Sequence, residues 1–398
     1  MSDAPDLLYS EVEEELRATV RKYLADRSPW PAVLALTEAD PPRDPRVWRG
    51  LAEVGVPGLA VPEDLGGAGA SWREVAVVAE ELGRSLAPTP FLGSAVLATA
   101  TLLAVVADAG VRGGETSTGL DVAGAGTTLA ELAAGTSAAA LAVPVSTWPG
   151  GTSRPAKGPG TGPASATAFG AVAADGAGRL SGAVTSVADA ETADVLVVPA
   201  TGDGGPGLYL VTTADVAVER RVTLDLTREL ADVRLDGAAG RPLLTGPPAA
   251  AALESALVTG AAVLASEQLG VAERCLELTV GHLRERYQFG RPVGSFQAVK
   301  HRLADVWVSV AQARAVARYA ASCVAYADPD AAVAASLAQA HCGPVAVAAA
   351  EACIQLHGGI GFTWEHPAHL YLKRAASSRA LFGTPTAHRA ELAELLHL

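Results

Sequence analysis

Positive charge is in short supply in this sequence. Thirty lysines and arginines face 43 aspartates and glutamates, a formal net charge of −13. Non-specific binding to nucleic acid needs a basic surface, so that class of partner is excluded. Cysteine is scarce as well: Cys275, Cys323, Cys342 and Cys353 occur with no C-x-x-C spacing. Each lies inside a helical pattern, which predicts reduced, buried core thiols rather than a disulfide frame. The first twenty residues are acidic and lack an apolar core segment, so they read as neither a secretory signal nor a transit peptide. No run of 18 residues has the Leu/Ile/Val/Phe density of a membrane span. The expectation is a cytoplasmic protein with no membrane partner.

What is present is apolar and small. Hydrophobic residues make up 49% and charged residues 18%, which excludes general disorder, and the excess is mostly alanine. A chain of 398 residues can hold two or three domains or one large core. Up to about residue 135 the pattern is helical with short breaks, and Ser10 followed by Glu13 predicts a capping box. The stretch 102–127 weakens into glycine and small polar residues. Between about 136 and 247 the period changes. "AAALAVPVS", "SATAFGAVAA", "GRLSGAVTSV", "DVLVVPA", "GLYLVTT" and "VAVERRVTL" are short β-favouring runs, which predicts an antiparallel barrel or sandwich. Within it, "PGGTSRPAKGPGTGP" reads as a mobile connection. From 248 to 398 helix returns: Leu269, Ala272, Leu276, Val280 and Leu283 recur at steps of three and four, and long helices are predicted near 295–326 and 330–356, with a shorter one near 366–381. The fold class is therefore mainly α with a central β domain: a helical domain over 1–135, a β-barrel over 136–247 and a helical bundle over 248–398.

Two stretches interrupt the helices of that last third. In "RERYQFGRPVGSFQAVKHRLADV" a helix runs out at Arg284 and Arg286, a turn follows, and a new helix carries Gln297. Arginines beside exposed backbone N–H groups suit a pyrophosphate; a cluster offsetting the helix dipole is the plainer alternative. In "QLHGGIGFTWEHPAH" three glycines each cost a helix roughly 1 kcal/mol relative to alanine. Either they let a ligand approach beside Gln355, or they make an ordinary turn between helices. Neither stretch is a G-x-G-x-x-G or Walker pattern, so Rossmann and P-loop readings fail for both.

Together with "VPEDLGGAGAS" (61–71), these stretches resemble, in order and spacing, the hallmark segments of the flavin-dependent acyl-CoA dehydrogenases. The resemblance covers nearly the whole chain. It implies an N-terminal helical domain, a β-barrel and a C-terminal four-helix bundle, assembled as a tetramer with FAD at subunit interfaces. It also implies that Arg286, Gln297, Gln355 and Gly359, with Gln288, Phe289, Gly358 and Thr384 in adjoining positions, hold a cofactor seated mainly in the neighbouring subunit. Acyl-CoA is the implied substrate and an electron-transfer flavoprotein or similar acceptor the implied redox partner.

The match breaks where the family's chemistry is done. A carboxylate is expected just before Gly383-Thr384, and Phe382 stands there. The alternative position, on the first long helix of the bundle, falls at Gly260. The family's Thr-Glu-Pro and Trp-Ile-Thr segments correspond to Ala142-Val143-Pro144 and Ser186-Val187-Ala188. No catalytic residue is therefore assigned. The pattern resembles the base-lacking subunit of bacterial heteromeric acyl-CoA dehydrogenases, which implies a heterotetramer with a base-bearing homologue, a homo-oligomer being the alternative. Two other functions stay open: a self-sufficient flavoenzyme with a relocated base or oxygen-using chemistry, and a flavin-free acyl-CoA-binding scaffold. Glu254, Glu267, Asp225 and Glu365 are the relocated-base candidates, each also readable as a cap, packing or surface carboxylate. His357, His366 and His369 beside Glu365 read as structural rather than metal-binding. Asp225-Leu-Thr-Arg228 reads as a turn or interface contact.

Overall fold

Side-chain caps set where the first helices begin. The computed structural model describes residues 7–111, 120–150 and 168–397. Ser10 accepts from the Glu13 amide at 3.2 Å and Glu13 reaches back to the Ser10 amide at 2.6 Å, so the predicted capping box heads α1 (Glu11–Arg27). Helices α2 (Trp30–Leu36) and α3 (Pro45–Glu53) carry a proline in the first turn, where a missing N–H costs nothing. Ser71 and Glu74 form a second box at the head of α4 (Trp72–Ser85). A π-helical stretch, Phe91–Ala98, leads into α5 (Thr99–Val111), and Asp121 caps α6 (Val122–Ala133). The weakening read over 102–127 is thus corrected: helix persists to Val111 and resumes at Val122, because buried Leu102, Val105 and Leu129 anchor segments that propensity alone would lose.

Strand follows. In chain order the strands are β1 (Ala139–Leu141), β2 (Val172–Ala174), β3 (Arg179–Ala188), β4 (Val195–Gly202), β5 (Gly205–Thr212), β6 (Ala217–Arg220), β7 (Leu230–Ala239) and β8 (Arg241–Thr245). They form one sheet in the order β6-β7-β3-β2-β4-β5-β8, with β1 beside β4. It is mixed rather than antiparallel throughout. Both β1 and β2 run parallel to β4, with Ala139 opposite Val195 and Ala173 opposite Thr201. β7 and β8 were not read from sequence; in β7 the polar Arg234 and Asp236 alternate outward around buried Val233 and Leu235. Most of the Gly/Pro-rich connection lies outside the described residues.

The bundle comprises α7 (Pro247–Glu285), α8 (Gln297–Ala325), α9 (Ala331–His357), α10 (Ala368–Ser378) and α11 (Pro385–Leu395), the last not foreseen. A small hairpin, β9 (Tyr287–Gln288) with β10 (Arg291–Pro292), joins α7 to α8. Helices α4 and α7 touch backbone to backbone. A Cβ on Gly83 would stand 2.1 Å from the Glu267 carbonyl oxygen, and one on Gly270 would stand 1.9 Å from that of Glu80. Only glycine permits that approach.

Three helical stretches, Phe91–Val111, Pro247–Glu285 and Ala331–Phe362, are long and apolar enough to cross a membrane by length and composition, contrary to the sequence expectation. In the fold, 72%, 78% and 44% of their most apolar windows are buried in protein. Alanine carries much of the apolar character of α7 and α9, and it is buried at helix contacts such as Ala261, Ala265, Ala338 and Ala349. All four cysteines are free and buried, as predicted.

Sheet and bundle are joined by a buried ion network, and here Asp225–Arg228 finds its role. Arg374 of α10 pairs with Asp225 at 2.9 Å and donates to the Thr227 carbonyl at 2.7 Å. Arg228 and Arg374 both hold Glu267 of α7. Removing one member would strand an opposite charge out of water.

Candidate cofactor site

The two positions at which a general base was sought are packed against each other. Phe382 is fully buried, and its ring carbon Cζ lies 3.0 Å from where a Cβ on Gly260 would be. The Leu97 methyl Cδ2 crowds the same spot, 2.6 Å from that Cβ position. The turn bearing Phe382 is held from three directions. Its N–H donates to the Val145 carbonyl at 2.9 Å, and its carbonyl accepts from His388 Nε2 at 2.9 Å. Gly383, at φ +106°, lies so close to Trp148 that a Cβ there would stand 2.8 Å from the Cβ of Trp148. Burial drives His388 down to about 4, so it stays neutral and donates to that carbonyl. Thr384 caps α11, accepting from the Ala387 amide at 3.2 Å. The residue that follows the segment aligned with Thr-Glu-Pro, Val145, thus bonds directly to the turn aligned with the missing base.

Three of the four relocated-base candidates are occupied. Glu267 is buried between two arginines; burial acts to raise its pKa, but Arg228 and Arg374 outweigh it and leave it lowered. Asp225 is held by Arg374 and accepts from the Thr227 amide and hydroxyl. Glu254 accepts from the Gly150 amide at 2.5 Å. Glu365 is exposed. A carboxyl that sequence reasoning passed over, Asp189, is buried beside Glu229 and accepts from the Gly93 amide at 2.7 Å. Burial and then Glu229 push it up to about 7. Its cavity, between Pro42, Pro90 and Thr227, has room for little more than one water.

The other predicted residues gather at the far end of the bundle. Arg286 terminates α7 with its side chain exposed. Phe289 (φ +53°) and Gly290 (φ +75°) make the tight turn of the β9–β10 hairpin, which carries Gln288 and leaves Phe289 92% exposed. Gln297 is the first residue of α8, and Gln355 lies in the last turn of α9; both are exposed. Gly358 leaves α9 at φ +67°, and a Cβ on Gly358 or Gly359 would meet nothing within 4 Å. The ring of His282 stacks on that of His357 at 4.4 Å, which brings the end of α7, with Arg286, beside the glycine turn. The His366 ring lies 4.2 Å from that of His357 on a neighbouring segment, tilted by 41° to it. Among the described residues no group of three His, Cys, Asp or Glu is arranged to hold a metal.

This donor set fits the adenosine-diphosphate half of FAD: an exposed guanidinium, three exposed amide side chains and an unblocked glycine backbone. The turn at Phe382 does not fit the ring half, since side chains fill it. At about 1.5 Å per residue, the length of α7 from Gly260 to His282 is on the order of 33 Å. The Phe382 turn and the glycine turn therefore lie far apart along α7. Val145, Trp148 and His388 carried no sequence signal for this packing.

Comparison with known proteins bears on the same regions. Residues 10–111 match the acyl-CoA dehydrogenase N-terminal domain and residues 250–397 the acyl-CoA dehydrogenase C-terminal domain. The acyl-CoA dehydrogenase IpdE2 of Mycobacterium tuberculosis is 36% identical over 376 residues, 94% of each chain. FadE27 of the same organism is 32% identical and is matched over 86% of each chain. Among solved structures, a chain of the ChsE4–ChsE5 complex from M. tuberculosis superposes with a TM-score of 0.81 at 28% identity over 99% of both chains. A chain of the Tcur3481–Tcur3483 steroid enzyme gives 0.79 at 29% identity, over 97% of this chain and 98% of that one. Proteins of this family bind FAD. With both terminal domains matched and relatives this similar along nearly their full length, the chain belongs to the acyl-CoA dehydrogenase family of oxidoreductases.

Proposed function

We propose that this chain is the non-catalytic partner in a heteromeric acyl-CoA dehydrogenase, in which a homologous subunit provides the general base. The observation that carries this reading is the contact between Phe382 and Gly260: both base positions lack a carboxylate, and the space between them is filled by an aromatic ring. Losing a positioned base commonly costs ~10²–10⁴ in rate, about 3–5 kcal/mol on the barrier. The locked states of Glu267 and Asp225 speak against a relocated base.

Bound FAD would supply the acceptor for the β-hydride of an acyl-CoA thioester. This chain's part is to hold the far half of that cofactor. Arg286 would bind phosphate oxygens, Gln288, Gln297 and Gln355 would orient the adenosine, and Gly358 and Gly359 would let it lie against the backbone. Phe382 and Trp148 keep water out of this chain's own turn. Phe289, Phe362 and Trp364, exposed by 92%, 76% and 58%, favour burial against a second subunit. The steroid description of one relative favours a bulky, steroid-derived acyl group, and an electron-transfer flavoprotein or similar acceptor would take the reducing equivalents.

Flavin absorbance of the chain purified alone and after co-expression with a base-bearing homologue tests the reading. Flavin held only by the pair is the expected result. Flavin with acyl-CoA-dependent bleaching in the lone chain would overturn it, as would absence of flavin from both.

A further inference from the structure

The strongest arrangement left unused by this reading is the imidazole stack under the glycine turn. We infer that His357 is a positioning residue for the dinucleotide, holding the Gly358–Gly359 turn through a stack that carries a single proton, so that FAD is bound more tightly as pH falls. The inference rests on the reading above.

Three chain segments meet in the stack: His282 from the last turn of α7, His357 from the end of α9, and His366 from beyond the turn, at 4.4 and 4.2 Å between ring centres. Among the described residues no group of three His, Cys, Asp or Glu is arranged to hold a metal, so the rings form no metal site. Charges on adjacent rings this close repel strongly, which holds the stack to one proton. The middle ring is its natural place. His357 Nδ1 donates to the Cys353 carbonyl at 2.6 Å, leaving Nε2 to titrate. Burial alone would lower His357, but its bonds to the Cys353 thiol and carbonyl outweigh that and leave it raised. His282 and His366 are lowered, first by burial and then by a charged His357. The other groups facing the stack are Glu285 and Arg286 on α7, Cys353 on α9 with Cys275 against it, and His369 and Lys373 on α10. Among the imidazoles of the cluster, His357, next to the glycine turn, is the one whose pKa is raised.

The pyrophosphate stays anionic throughout, so it favours protonated His357. Affinity is greatest below the His357 pKa and is lost as pH rises through it, by no more than tenfold per unit. The test uses the assembly with its homologous subunit, stripped of flavin and titrated with FAD between pH 6 and 8.5, as wild type and as His357→Phe. The phenyl ring keeps the stack and removes the proton. A three- to tenfold loss of affinity with rising pH in the wild type, flat in the variant, is expected. Imidazole NMR of the wild type gives a second measurement independent of the variant: FAD should raise the pKa of one central histidine. A flat wild-type profile, equal slopes in both proteins, or an unmoved histidine pKa overturns the inference while leaving the functional reading intact. FAD bound at no pH by either protein overturns both.

Discussion

The edge of the Phe382 ring ends 3.0 Å from the point where Gly260 would carry a Cβ. A Cβ there would also stand 2.6 Å from the Leu97 methyl Cδ2, so the site is crowded by two side chains. Gly260→Ala gains about 1 kcal/mol of helix propensity but forces an overpacked contact worth about 1–3 kcal/mol. A net loss of about 1 kcal/mol is expected. Phe382→Leu alone opens a void. The double variant should be more stable than the sum of the two singles by at least about 0.5 kcal/mol. Urea midpoints of the four proteins measure the coupling, and strict additivity would show that the two positions do not touch.

Helix α7 offers a cleaner contrast. Gly270→Ala would drive a methyl into the Glu80 carbonyl, whose oxygen stands 1.9 Å away and cannot rotate aside. Separating α4 from α7 should cost about 2–4 kcal/mol. Gly281→Ala, in the same helix with nothing within 4 Å, should instead gain about 0.5–1 kcal/mol. Thermal or denaturant unfolding of the two variants should move in opposite directions.

Much of this was legible from residues near in sequence. Ser10 and Glu13 announced α1 because a cap is a local device, and Arg286, Gln297 and Gly358 interrupt the helical pattern where they lie exposed at helix ends. What stayed hidden depends on contacts between remote segments. The parallel pairing of β1 with β4, the reciprocal fit of Gly83 and Gly270, and the closure of the Phe382 turn by Val145 and Trp148 each require two stretches that carry no mark of one another. Strand β7 was missed for a different reason: its outward arginine and aspartates made a half-buried strand look like a polar loop.

Asp189 makes stability depend on pH. Its carboxyl is pushed up to about 7, first by burial and then by Glu229, against an ordinary value of 3.8. Between those values the folded state holds a proton that the unfolded state has released. The Asp189 contribution therefore falls as pH rises from about 4 to about 7, by up to about 4 kcal/mol, and levels off above that. Asp189→Asn keeps an acceptor for the Gly93 amide and tolerates the left-handed backbone at φ +59°. The variant should be more stable than the wild type at pH 8 and indistinguishable near pH 4. Equal stabilities at pH 8 would show that the carboxyl ionises in the fold without cost.

Arg286 separates the two readings that the sequence left open. If its guanidinium only offsets the dipole at the end of α7, Arg286→Ala should cost the isolated chain about 0.3–1 kcal/mol and leave FAD retention unchanged. If it binds phosphate across a subunit boundary, the order reverses. A charge-assisted hydrogen bond contributes about 1.5–3 kcal/mol, so the assembly should hold FAD about 10- to 150-fold more weakly. The exposed side chain should then be worth less than about 0.5 kcal/mol to folding. Denaturant midpoints of the lone chain and FAD dissociation constants of the assembly, measured on the same variant, give both numbers. The open space above Gly358 and the stacking of His282 on His357, which brings Arg286 to that space, favour the second outcome.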